Sequence, residues 1–131
     1  LARYIPLKRG DPESGRACLI KAWGWLRQGV SVLFFPEGTR SPDGRIQAFK
    51  AGAFKLALEE KVDLLPLVIL GTRAAVPKHS LLVQQRTSIL LKVLEPILIR
   101  CFEIKDLESL LEMVRSSIVA EFEKYSKLMA L

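Results

Sequence analysis

Between residues 33 and 52 the chain reads LFFPEGTRSPDGRIQAFKAG. An apolar run stops at Pro36, and an acid, a glycine, a hydroxyl and an arginine follow at once. Pro36 has no amide to donate, so strand pairing ends there. Gly38 permits a sharp turn or the close approach of a ligand. Arg40 carries a planar fork of donors that grips a phosphate in bidentate fashion. Two roles are open to Glu37: holding that guanidinium in place, or accepting a hydrogen bond from a substrate hydroxyl. Thr39 and Ser41 add hydroxyl donors. Lys50 stands where a helix N-terminus would also attract an anion, and Arg45 reads as ordinary loop charge. The chemistry on offer is recognition of a phosphorylated ligand by a turn. An ordinary charged turn shares this composition, and the spacing of a Walker loop is absent.

Such a loop needs elements to hold it. Tyr4 to Lys8 reads as a short strand, at an edge because of Pro6. Asp11-Pro12-Glu13 is a helix start, with Asp11 as cap, Pro12 in the first turn and Glu13 complementing the dipole. Leu19, Ile20, Trp23 and Leu26 continue that helix at its own spacing, and Gly29 ends it. Trp23 and Trp25 are two apart, cannot share one helix face, and read as packing or interfacial residues. Val32 to Phe35 is a continuous apolar run, predicting a strand covered on both faces. A helix is expected over Ala51 to Lys61, and strands over Leu64 to Leu70 and Ser88 to Val93, with Pro66 shaping the first of these. Asp106 caps a last helix whose stripe of Leu107, Leu110, Leu111, Val114, Ile118 and Phe122 is expected to pack on its own sheet. Strands alternating with helices predict an α/β domain with a mainly parallel central sheet flanked by helices. In such sheets ligands bind beyond the carboxyl ends of the strands, where the loop after Phe35 lies.

The 131 residues are half hydrophobic and a quarter charged, the composition of one globular domain. The longest apolar run, Leu64 to Leu70, is far short of the roughly 20 residues that cross a bilayer as a helix. The net charge of +6 is one-sided: residues 1–55 hold ten Lys/Arg against four Asp/Glu, and residues 56–131 hold ten of each. A basic region around the loop favours an anionic partner, whether phosphate ligand, lipid surface or nucleic acid. Nucleic acid has no support beyond charge, since no recognised fold motif or aromatic platform accompanies it. Cys18 and Cys101 have no metal-ligand spacing and read as small, reduced, partly buried residues.

The unbroken Phe35-Pro36-Glu37-Gly38-Thr39-Arg40-Ser41 after an apolar run resembles the signature block of the glycerolipid acyltransferases, which include the 1-acylglycerol-3-phosphate and glycerol-3-phosphate acyltransferases. Neighbouring stretches agree. YIPLKRGD resembles the block in which a strand ends in an arginine, here Arg9. FKAGAFKLA resembles the segment opening the next helix, and DLLPLVILGT the later apolar strand with its proline. The likeness covers roughly residues 3 to 80.

The resemblance implies acyl transfer from acyl-CoA or acyl-carrier protein to 1-acyl-glycerol-3-phosphate, giving phosphatidic acid, with no metal or cofactor beyond the acyl donor. It assigns acceptor-phosphate binding to Glu37, Gly38, Thr39 and Arg40, with Arg9 and Lys50 as further contacts. It places the enzyme at the cytoplasmic face of the membrane, peripheral or anchored by a segment outside this chain. In the family a histidine and an aspartate, spaced N-H-x-x-x-x-D, supply the base and its orienting partner ahead of the signature block. Here the sole histidine, His79, follows the block, and Gln84 stands where the aspartate would be. Residues 1–131 are therefore expected to be the C-terminal portion of an acyltransferase domain, with the catalytic pair upstream, and to be inactive alone. The alternatives are an enzyme of the same family acting on another lysophospholipid, and a non-catalytic lipid- or anion-binding homologue.

Overall fold

The structure is a computed structural model and describes residues 4–8, 10–72 and 88–129. In chain order its elements are helix α1 (Pro12–Leu26), helix α2 (Gly52–Glu60), strands β1 (Leu67–Leu70) and β2 (Leu90–Val93), two single 3-10 turns (Ile99–Cys101 and Ile104–Asp106) and helix α3 (Leu107–Met129).

Helix α1 begins as its sequence predicts. The Asp11 carboxylate accepts from the amides of Glu13 and Ser14, and Pro12 opens the first turn. Trp23 donates its indole N–H to Glu60 while the Arg27 guanidinium lies 4.9 Å from its ring centroid and 3.5 Å from Glu60. Trp23, Arg27 and Glu60 thereby tie α1 to the end of α2. Helix α2 has nine residues and no side-chain cap, too few to persist in isolation. It holds because Phe54, Leu56, Ala57 and Leu58 are buried.

The core lies where α2, α3 and the first 3-10 turn meet: Phe54, Ala57, Leu58, Ile99, Leu110 and Val114 form one cluster, edged by Phe49, Leu64, Leu107, Leu111 and Ile118. Leu58, Ile99 and Leu110 are almost wholly enclosed, and each such burial contributes about 1.5–3 kcal/mol. Of the apolar stripe expected on α3, Leu110 and Val114 lie in this cluster, Leu107, Leu111 and Ile118 pack against it, and Phe122 is half-buried.

The expected parallel sheet is not what the described residues contain. Their single sheet is an antiparallel pair, β1 with β2, in the register Leu67 opposite Val93 through Leu70 opposite Leu90. The pairing continues past Pro66, whose carbonyl accepts from Leu94, to a bridge between Leu64 and Ile97. One residue is gained on the β2 side between those two contacts, where Glu95 and the donor-less Pro96 oppose Leu65; the ladder bends there as at a bulge. Tyr4 to Lys8 and Val32 to Phe35 have no ladder partner among the described residues. The second run is not covered on both faces either: Val32 and Phe34 are half-buried while Leu33 and Phe35 are 63% and 70% exposed. Apolar composition reports a tendency to leave water. A strand also needs a neighbouring backbone to pair with, and 32–35 has none among the described residues. Both cysteines are free, with Cys18 half-buried and Cys101 exposed where partial burial was expected.

Candidate functional site

Residues 36 to 50 form a closed loop. Its ends are clasped by the Lys50 amide donating to the Pro36 carbonyl at 2.8 Å. Phe49 stacks on buried Phe54, ring centroids 6.2 Å apart, so the closing end is anchored in the core. The turn itself is made by Gly38, whose amide donates to the Phe35 carbonyl and whose φ is +70°.

The loop is filled by its own polar groups. Asp43 accepts at one oxygen from the Ser41 hydroxyl (2.8 Å), the Arg45 amide (3.0 Å) and the Gln47 side-chain amide (3.2 Å). The Arg45 amide, then the Ser41 hydroxyl, stabilise the ionised form and hold the Asp43 carboxyl below its ordinary value. Arg45 thus contributes its backbone, and its side chain is exposed. Across the loop, Glu37 Oε2 accepts from the Gln47 amide at 2.8 Å. Of the two roles open to Glu37, pairing with Arg40 is not observed. One carboxylate oxygen is committed to the loop's return arm, and the other has no hydrogen-bond partner among the described residues.

Lys50 folds back over the turn. Its Cε and Nζ lie 2.8 and 2.9 Å from where a Cβ on Gly38 would stand, so the missing side chain is what admits the ammonium. Neither Lys50 nor Arg40 meets a carboxylate among the described residues, and both are exposed together with Thr39. The structure thus brings Gly38 and Lys50 together, sets Thr39 and Arg40 on the same turn, and turns Glu37 inward. Arg9, His79 and Gln84 lie outside the described residues. Among the described residues no group of three or more His, Cys, Asp or Glu is arranged to hold a metal, and no helix is long and apolar enough to cross a membrane.

Sequence reasoning missed one neighbour. Arg115, on α3, donates from Nε to the Gln47 carbonyl at 3.3 Å and from Nη2 to the Ile46 carbonyl at 3.5 Å. No local signal marks it, because it is one basic residue on the flank of an amphipathic helix 65 positions beyond the loop.

A family model described as Acyltransferase matches residues 1–70. The chloroplastic 1-acyl-sn-glycerol-3-phosphate acyltransferase LPAT1 of Arabidopsis thaliana is 47% identical over 76 residues, which are 58% of this chain and 21% of that protein. The 1-acyl-sn-glycerol-3-phosphate acyltransferase of Cocos nucifera is 30% identical over 128 residues, 97% of this chain and 41% of that protein. Among solved structures, the 1-acyl-sn-glycerophosphate (LPA) acyltransferase PlsC from Thermotoga maritima superposes with a TM-score of 0.71 at 32% identity, over 83% of this chain and 44% of that one. The chain therefore spans less than half the length of each of these relatives.

Proposed function

The chain belongs to the acyltransferase family, and from that premise we propose that it serves the acylation of 1-acyl-glycerol-3-phosphate to phosphatidic acid in phospholipid biosynthesis, with loop 36–50 as the acceptor-phosphate site. The acceptor hydroxyl oxygen attacks the thioester carbonyl of acyl-CoA or acyl-carrier protein. A C–O bond forms as the C–S bond breaks, the hydroxyl proton passes to a general base, and the sulfur leaves as a thiolate that takes that proton to become the free thiol. The thioester is already activated, so positioning the acceptor and removing one proton supply much of the rate. The donor is a substrate, and no further cofactor enters the chemistry.

The observation that carries this reading is a closed turn bearing two cations, Arg40 and Lys50, with no carboxylate partner among the described residues, one of them held against Gly38. Paired cations would be neutralised by the fold, whereas these are left to an anion from outside. Thr39 adds a hydroxyl, and the uncommitted oxygen of Glu37 suits an acceptor hydroxyl. Arg9 is assigned to the same phosphate by the family pattern alone. The general base is placed outside residues 1–131, because His79 follows the loop and lacks the aspartate partner. With a lipid acceptor and a basic excess in residues 1–55, we place the enzyme on the anionic cytoplasmic face of a membrane, peripheral or anchored by a segment outside these residues.

The test is Arg40→Ala in the full-length protein. Losing a charge-assisted phosphate contact is expected to raise the acceptor KM by about tenfold to a hundredfold, with the donor KM unchanged. An unaltered acceptor KM and rate would remove Arg40 from the site. A panel of lysolipids, compared by kcat/KM, separates the phosphate monoester acceptor from its relatives.

A further inference from the structure

We propose that Arg115 is a positioning residue for the acceptor loop, acting on Glu37 through a single peptide group. The inference rests on the acceptor reading of loop 36–50.

Glu37 Oε2 accepts from the Gln47 amide N–H. That N–H and the Ile46 carbonyl belong to the same peptide unit, and the Ile46 carbonyl accepts from Arg115 Nη2. A guanidinium therefore sits at the negative end of one peptide dipole and a carboxylate at its positive end. Hydrogen bonds at the two ends of a polarisable group strengthen each other, so Arg115 tightens the hold on Glu37 without touching it. The second contact, from Arg115 Nε to the Gln47 carbonyl, spreads the fork over two successive carbonyls. That two-point grip sets the direction of the return arm as well as its distance, which a single point charge does not do.

The base of this brace is rigid. Val114, the preceding residue, is buried in the core cluster, and Leu111 and Ile118, four back and three on, pack against it. The Arg115 stem thus leaves α3 at the margin of the core, and Glu112, one turn back, lies 3.5 Å from its Nη1 and steadies the head. Other supports of the loop include the Pro36–Lys50 clasp, the Asp43 turn and the Phe49 anchor. Among the described residues, Arg115 is what ties the middle of the return arm to a distant element, and that arm carries the hydrogen bond accepted by Glu37.

The experiment measures steady-state kinetics of the full-length protein and of Arg115→Ala, Arg115→Lys, Glu37→Gln and the Glu37→Gln/Arg115→Ala pair, varying acceptor and donor separately, with Arg40→Ala alongside. Arg115→Ala is expected to raise the acceptor KM about 3- to 10-fold, the worth of a pair of modest hydrogen bonds, and to leave the donor KM in place. Arg115→Lys, which reaches one carbonyl, should fall between. The double variant should lose less than the product of the two single losses, because both act through the same peptide. An unchanged acceptor KM in Arg115→Ala overturns the inference, as do equal losses in both KM values or strictly multiplicative losses in the double variant. If Arg115→Ala does not fold, Arg115→Lys decides: a raised acceptor KM with unchanged donor KM supports the brace, and no rise overturns it. Arg40→Ala separates the two levels. An effect there with none at position 115 ends this inference alone, and no effect at Arg40 overturns the acceptor reading and the inference with it.

Discussion

At Gly38 two requirements coincide that a side chain would violate together. Its φ of +70° lies in the left-handed region, which costs an ordinary residue about 1–2 kcal/mol. The space a Cβ would take is filled by the end of the Lys50 side chain. Because that end is flexible, Gly38→Ala should cost stability only through φ, about 1–2 kcal/mol, while pushing the ammonium off the turn. The expected outcome is a raised acceptor KM in Gly38→Ala that shrinks when measured in a Lys50→Ala background. Equal effects in both backgrounds would show that Lys50 does not act through the turn. The spacing of Glu37, Gly38, Arg40 and Lys50 marked a charged turn able to meet a phosphate, and the family resemblance named these residues as acceptor contacts. The inward turn of Glu37 was not legible in the sequence, because a carboxylate chooses among donors by proximity, and its partner Gln47 is an unremarkable loop residue.

Among the elements, helices were read more truly than strands. Helix α1 is capped by Asp11, and α3 buries Leu110 and Val114 of the stripe predicted for it and half-buries the rest, since a cap and 3.6-residue periodicity are written in neighbouring positions. Strand pairing depends on a second segment, and the antiparallel partnership of β1 with β2 spans a separation no local pattern encodes. The end of β1 shows how tightly that pairing is set. Gly71 follows Leu70 at φ +86°, and a Cβ there would collide with the backbone carbonyl oxygen of Ser88, which a rotamer change cannot relieve. Gly71→Ala is expected to destabilise the domain by about 2 kcal/mol or more, read as a lower Tm and a lower urea midpoint. Its effect on acceptor KM should be small, because β1 and β2 do not contribute to loop 36–50. A Tm equal to that of the parent would mean that the 70–90 strand ends are freer than this geometry allows.

For the whole molecule, the proposed chemistry divides between what residues 1–131 hold and what they do not. They hold the loop proposed to bind the anion, a core that anchors it through Phe49, and an arginine that hydrogen-bonds it from α3. They hold one histidine, outside the described residues and without the aspartate spacing of the family. Purified residues 1–131, given acyl-CoA or acyl-carrier protein and 1-acyl-glycerol-3-phosphate, are expected to transfer no acyl group at an enzymatic rate. Turnover at such a rate would place the base within these residues and refute the assignment made here. The amino-acid sequence by itself determined the family block, the Asp11 cap of α1, the core-facing positions of α3, the one-sided charge and the identity of the candidate anion-binding side chains. All of these are carried by residue type at short range. Only the tertiary structure decided that the sheet among the described residues is an antiparallel pair, that Val32 to Phe35 has no strand partner among those residues, that Lys50 lies over Gly38, and that Arg115 reaches the loop from α3. Each of those depends on which distant surfaces come within about 3–5 Å in the fold, the range over which hydrogen bonds and strand ladders form.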